Sequence, residues 1–248
     1  MNTLLLAAGR RQVDLEDFGS SWPTNLIEIG GAPLLSHVIQ KLGPLATEGR
    51  LVVVVRREEV MQHHTDQVIR LSEPTASVVT VGDTAGAACS ALLACEQIEP
   101  DEPLLVCNGD QVIDADLAEI VNDFAARDID AGVVIFEAVH PRWSFVRIEE
   151  DRVVEASEKR PISRNATAGA YWYRKGSDFV ASVMDMIRKE AAVNGTFFVC
   201  PSLNELILRG AVIGVTRIER NSYFSLHESA DVAVYEQHLQ RQLAPSPA

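Results

Sequence analysis

Leu51-Val52-Val53-Val54-Val55 (LVVVV) is the stretch on which the fold turns. Five consecutive aliphatic residues leave no polar side for water, so the run reads as a strand buried on both faces, the habit of a parallel sheet. Upstream, Pro33–Leu42 places Leu34, Val38, Ile39 and Leu42 on one helical face, with Pro33 suited to a first turn. Before it, Thr3–Ala7 (TLLLA) reads as a first strand that runs into a polar loop extending through Pro23. Downstream come a polar helix over Glu58–Leu71, a strand over Ala76–Val81 and a small-residue helix over Thr84–Ile98. A strand at Leu104–Cys107 and a helix at Asp116–Ala126 complete the alternation. This β-α-β-α order predicts an α/β fold of three layers, α/β/α, around a mostly parallel central sheet.

The second half changes texture. Ala131–Phe136, Phe145–Ile148, Arg152–Ala156 and Thr167–Tyr173 are strand-like, separated by turn residues such as Glu150-Asp151. Helices follow at Asp178–Glu190, Leu203–Leu208 and Ala230–Gln242, and the tail 244–248 is expected to fray. With no linker or charge run between the halves, residues 1–243 read as one domain.

Composition narrows the function. The 248 residues are 47% hydrophobic and carry a formal charge of −13. That balance argues against a nucleic-acid surface, which needs a basic stripe to displace counterions, and against docking on anionic lipid. An anionic ligand would need cations concentrated at its site. The cysteines Cys89, Cys95, Cys107 and Cys200 form no CxxC and read as small buried hydrophobes of a reducing compartment. Without a basic n-region or an apolar run of about 20 residues, the expectation is a cytoplasmic protein that meets no membrane.

Ligands of open parallel sheets bind beyond the carboxyl ends of the strands, so the loops after the strands are the candidate sites. Ala7-Ala8-Gly9-Arg10-Arg11 offers a glycine for close backbone approach and two permanently charged forks. Asn108-Gly109-Asp110 puts a carboxylate at a strand end, where Mg²⁺ could use it together with substrate phosphates. In Gly82-Asp83-Thr84-Ala85-Gly86-Ala87, small residues at a helix start admit a flat or phosphate-bearing ligand. Glu158-Lys159-Arg160-Pro161 is the basic cluster of the second half. Each loop also has a plainer reading, as a solvated turn or a helix cap.

Their order in the chain is more specific. The sequence resembles the nucleotidyltransferases that join a nucleoside triphosphate to a phosphorylated sugar or similar small phosphate, such as the nucleotide-sugar pyrophosphorylases of surface polysaccharide synthesis. LLLAAGRR looks like the L-A-A-G-x-G-x-R loop of that family, and Trp22–Leu34 looks like its P-K-P-L segment. TAGAACSALLA is similar to the G-T-A-G-A helix, and LLVCNGD to the strand that carries the metal-binding aspartate. SEKRPISRNATAGAYWY looks like the E-K-P…N…A-x-x-G segment, and NGTFFVCPSLNELI like the substrate-side helix of some relatives.

The resemblance implies a GT-A-like, Rossmann-like nucleotidyltransferase fold, with a nucleotide-binding half over about 1–127 and an acceptor-binding half over about 128–243. Nucleotide would be held by Ala7, Ala8, Gly9, Arg10, Thr84, Gly86, Asn108 and Gly109. Acceptor would be held by Glu158, Lys159, Asn165, Gly169, Asn204 and Glu205. Asp110 would bind Mg²⁺ and, with Arg10, Arg11 and Lys159, form the catalytic group. The implied partners are a nucleoside triphosphate and a small phosphorylated acceptor, and self-association into a homo-oligomer stays open.

Three positions depart from the family pattern. Arg10 replaces the second glycine of the first loop, and Thr24 replaces the lysine of P-K-P. Ser225 stands where the family has its second metal aspartate, with His227, Glu228 and Asp231 nearby as substitutes. Two other readings follow. A GT-A glycosyltransferase would use a D-x-D motif, for which Asp114-Ala115-Asp116 has the spacing, although Asp116 also reads as a helix N-cap. A catalytically impaired nucleotide-binding relative is the other.

Overall fold

The computed structural model describes residues 1–9, 12–13, 22–47, 49–226 and 229–243. A nine-stranded sheet runs through both halves of the chain. Its strands are β1 (Asn2–Ala7), β2 (Arg50–Arg56), β3 (Ser77–Val81), β4 (Leu104–Asn108), β5 (Ala131–Glu137), β6 (Ser144–Glu149), β7 (Arg152–Glu158), β8 (Asn165–Tyr173) and β9 (Ile213–Arg217). The order across the sheet is β7-β6-β8-β4-β1-β2-β3, with β5 joined to β8 and β9. The four strands of the first half are parallel to one another. The strands of the second half extend that sheet through an antiparallel pairing of β8 with β4.

Alternation along each strand feeds two cores, because successive side chains point to opposite faces. In β1, Leu5 and Ala7 belong to one and Leu4 and Leu6 to the other. Helices α1 (Leu34–Thr47), α3 (Thr65–Ser72), α5 (Leu117–Ala126) and α8 (Ser229–Leu243) cover the first face. The second is covered by α4 (Ala87–Leu92), α6 (Gly176–Arg188) and α7 (Leu203–Leu208). The result is the three-layer α/β/α arrangement, mostly parallel at its centre.

Several boundaries differ from the sequence reading, each for an identifiable physical reason. The helix read over Glu58–Leu71 is two, α2 (Arg57–His63) and α3, because His64 adopts a left-handed conformation at φ 55° between them. The helix read over Thr84–Ile98 contracts to α4 and a 3-10 turn at Cys95–Gln97. Its first residues are held extended by the backbone of Phe197, whose N–H donates to Ala85 and whose carbonyl accepts from Ala88. Strand β9 was not foreseen; it lies beside β5, with residues at its C-terminal end partly exposed. The short antiparallel pair of Gln111–Ile113 with Tyr223–Ser225 was also unforeseen. Among the described residues, no helix is long and apolar enough to cross a membrane.

Candidate active site

A cleft of about 520 Å³ opens beyond the carboxyl ends of β1, β2, β3 and β4. Its floor is built by a close backbone approach. The Gly109 N–H donates to the Leu6 carbonyl at 2.9 Å. A Cβ on Gly109 would lie 2.9 Å from the Ala7 Cα, so glycine is what lets the end of β4 press against the end of β1. Asp110 follows at once, its carbonyl accepting from the Leu226 N–H at 3.0 Å. Next to it, the Gln111 side chain donates to the Ala168 carbonyl and accepts from the Tyr223 hydroxyl. Asp110 is thus set between β1, β8 and the Tyr223–Ser225 strand, partly exposed to the cleft.

On the β6–β7 side the wall carries Ser144, Glu158, Lys159 and Arg142. The Ser144 hydroxyl donates to the Glu158 carboxylate. Lys159 sits at φ 52°, its N–H donating to the Trp143 carbonyl at 3.1 Å and its ammonium 5.2 Å over the Phe198 ring. Arg142 stacks on Trp143 at 4.2 Å and pairs with Asp231 at 3.3 Å. Burial pushes the Glu158 carboxyl above its ordinary range; Ser144 and Lys159 oppose this, and the charge of Asp110 adds to it. Two carboxylates that feel one another across a cleft favour a cation between them.

On the β2–β3 side the wall carries Thr24, Asn25, Arg56, Glu59, Thr84 and Ser90. Asn25 donates to the Ala7 carbonyl and to Glu59, both at 2.8 Å. Burial raises the Glu59 carboxyl, offset in part by that hydrogen bond and by the charge of Arg56. Gly86 lines the cleft, but the space its missing side chain leaves is filled by the Phe197 backbone.

Of the residues singled out from sequence, Ala7, Ala8, Gly9, Thr84, Gly86, Asn108, Gly109, Asp110, Glu158, Lys159 and Gly169 converge on this one cleft. Arg10 and Arg11 lie outside the described residues, as do His227 and Glu228. Three residues expected at the acceptor sit elsewhere. Asn204 brackets the Ala156 backbone, donating to its carbonyl and accepting from its N–H at 2.9 Å each. Glu205 is buried in an ion pair with Lys189. Asn165 accepts from Arg217 at 2.6 Å on the sheet. The resemblance that suggested Asn204 and Glu205 thus coincides here with residues that dock α7 onto β7 and α6. Asp114 and Asp116 also lie outside the lining: Asp114 bonds Lys41, His238 and Gln242, and Asp116 caps α5. Among the described residues, no D-x-D metal motif lines the cleft.

Sequence reasoning did not single out Asn25, Arg56, Glu59, Gln111, Ser144 or Tyr223. The only advance signal was position, since Arg56 and Glu59 directly follow the LVVVV strand.

The donor set suits a magnesium ion that arrives with phosphate ligands. Ser225, in the position read from sequence as the counterpart of a second metal aspartate, pairs with Gln111 in the strand beside Asp110 and does not line the cleft. One carboxylate is sufficient for Mg²⁺ when substrate oxygens complete its shell.

The first two-thirds of the chain, residues 4–168, match the model of the MobA-like NTP transferase domain. The bifunctional protein GlmU of Methanococcus aeolicus is 26% identical over 230 residues, 91% of this chain and 51% of that protein. The chain therefore spans about half the length of the GlmU proteins it matches. AglF of Haloferax volcanii, a UTP–glucose-1-phosphate uridylyltransferase, is 24% identical over 225 residues, 88% of each chain. In fold, a nucleoside-diphosphate-sugar pyrophosphorylase from Vibrio cholerae RC9 superposes with a TM-score of 0.77 at 18% identity, covering 96% of this chain and 100% of the other. The inositol-1-phosphate CTP transferase from T. maritima gives 0.72 at 15% identity, covering 98% of each. With the family's loops gathered round one cleft, the chain belongs to the MobA-like NTP transferase domain family of nucleotidyltransferases.

Proposed function

We propose that the protein is a Mg²⁺-dependent nucleotidyltransferase that joins a nucleoside triphosphate to a phosphorylated sugar or sugar-like molecule, releasing pyrophosphate. The observation that carries this reading is the single cleft shared by the Ala7–Gly9 loop, Asp110 and the Glu158-Lys159 pair. An oxygen of the acceptor's phosphate attacks the α-phosphorus. The bond from that phosphorus to the bridging oxygen of the β-phosphate breaks, and pyrophosphate leaves with the electron pair. No protein nucleophile is needed; the chain aligns two polyanions and neutralises the charge that develops.

Asp110 would hold the Mg²⁺, which supplies charge neutralisation on the phosphoryl oxygens. Lys159 meets the acceptor phosphate and Glu158 accepts hydrogen bonds from acceptor hydroxyls. Arg10 and Arg11, following Gly9, act on the triphosphate. In the described lining, Arg56, Arg142 and Lys159 face Glu59, Asp110 and Glu158. Arg56 and Arg142 are already paired with Glu58, Asp83 and Asp231, so bringing in two polyanions calls for the metal and the loop arginines. The product is an activated nucleotide precursor, suited to supplying surface polysaccharide synthesis from the cytoplasm.

The test is pyrophosphate release from a panel of nucleoside triphosphates and sugar phosphates with Mg²⁺, beginning with the UTP and glucose-1-phosphate named for AglF. Release that needs both substrates supports the reading. Nucleotide binding without release on any pair would favour a non-catalytic relative, the outcome that Thr24 and Ser225 make worth testing.

A further inference from the structure

The cleft has an end that the transfer chemistry leaves unused. In the sheet order, β2 lies beyond β1, on the side away from β4. Two strand spacings, about 10 Å, therefore separate the end of β4 from the end of β2. Asp110 follows the first, and Arg56 and Glu59 stand at the second. With phosphates beside Asp110 and acceptor beside Glu158 and Lys159, the base of the nucleotide falls against Glu59. This placement rests on the function proposed above.

The chemistry of that wall is one-sided. The Asn25 side chain faces two oxygens, the Ala7 carbonyl and Glu59 Oε2, each 2.8 Å away. Both are acceptors, so only the amide NH₂ can serve them, and the orientation of Asn25 is settled by its partners. Asn25 keeps its carbonyl oxygen, and Glu59 keeps a second carboxylate oxygen. Among the described residues, no donor is in hydrogen-bond reach of either.

The neighbouring donors are already committed. Arg56 pairs with Glu58 and Asp83, each at 3.2 Å. The Thr84 and Ser90 hydroxyls bond one another at 2.7 Å. Glu59 is 7% exposed, and burial raises its carboxyl above the ordinary range. A desolvated carboxyl with an open oxygen gains strongly from a donor supplied by a ligand.

We infer that Glu59, positioned by Asn25, reads the nucleobase and selects one that carries an exocyclic amino group: cytosine, adenine or guanine over uracil and thymine. An amino group donates to the open oxygens. Uracil and thymine present an N–H flanked by two carbonyls, and those carbonyls would face the acceptors of Glu59 and Asn25. Two open acceptors are served together by the two hydrogens of an amino group, whereas the single N–H of uracil or thymine serves one and leaves the other facing a carbonyl, unpaired. The choice would differ from the uridylyl transfer named for AglF.

The experiment is calorimetric titration of the full chain with CTP, ATP, GTP, UTP and dTTP at constant excess Mg²⁺. The tightest ligand should carry an amino group and exceed both UTP and dTTP by about tenfold or more. In Glu59→Gln, an oxygen can stay on Asn25 while the new NH₂ turns toward the base, so the preference should shrink to about threefold or less, or reverse. Should that variant fail to fold, Glu59→Asp withdraws the carboxylate and should lose about tenfold for the amino-bearing base with little change for UTP. UTP or dTTP as the tightest wild-type ligand, or a preference unchanged by the variant, overturns the inference while leaving the transferase reading intact. Failure of every nucleotide to bind overturns that reading and this inference with it.

Discussion

Alanine at position 109 puts a methyl group where the end of β4 passes against β1. The added Cβ would lie 2.9 Å from the Ala7 Cα, 2.9 Å from the Ala7 Cβ and 3.0 Å from the Leu6 carbonyl oxygen. None of these is the far end of a flexible side chain. All belong to a strand held in register by β2 on one side and β4 on the other, so the loop rather than the strand must give. Overpacking of this kind costs about 1–3 kcal/mol, and for a chain of this size each kcal/mol lowers Tm by about 2–4 °C. The larger consequence is functional, because Asp110 is the next residue. A displacement of about 1 Å in a positioning group can cost roughly a hundredfold in rate. Scanning calorimetry of Gly109→Ala and its pyrophosphate release, measured side by side, check both parts. A Tm and turnover equal to wild type would show that the loop does not need this approach, and the account of how Asp110 is placed would fall.

Three further outcomes are expected. Asn204→Ala removes both hydrogen bonds to Ala156 and should lower stability by about 1–3 kcal/mol with the acceptor KM unchanged; a raised KM at unchanged Tm would return Asn204 to the acceptor site. Burial raises the Asp114 carboxyl, but Lys41 and His238 outweigh it and hold the group below its ordinary range. Its contribution, roughly 1 kcal/mol for a partly exposed pair, is therefore full above the unfolded pKa near 3.9 and lost as pH falls through the lower folded value. The Tm gap between wild type and Asp114→Asn should be widest near neutrality and close in acid; a gap that widens in acid would reverse the sign. Thr24→Lys restores a cation to the cleft wall, so turnover should rise by a factor worth a few kcal/mol at most. Turnover that is already robust and unchanged by the lysine would show that another cation serves there.

The central strands of the first half were legible because each is an aliphatic run with no alternative to burial on both faces, as LVVVV is, and the edge strand β3 because its run is rich in valine. What escaped was set either by one residue's backbone conformation or by distant chain. The break at His64 depends on one residue taking a left-handed conformation, and the contraction of α4 on the docking of Phe197, which follows it by more than a hundred residues. The cleft was legible where residues sit at strand ends, as Gly9, Asp110 and Thr84 do. Asn25 and Glu59 were not, since their meeting joins a 3-10 turn to a helix start across β1. Asn204 and Glu205 show the opposite failure: a familiar pattern drew attention to residues whose polar groups are spent inside the protein.

The central claim is that Asp110 and the strand-end loops around it transfer a nucleotidyl group. The most direct measurement follows an α-³²P-labelled nucleoside triphosphate in the presence of Mg²⁺ and a sugar phosphate, with wild type and Asp110→Asn compared. Label is expected in a nucleoside diphosphate joined to the sugar of the acceptor, with pyrophosphate released in equal amount and a loss of roughly a hundredfold or more in the variant. Labelled product formed as fast by folded Asp110→Asn as by wild type would contradict it, as would folded, nucleotide-bound wild type that forms none with any acceptor.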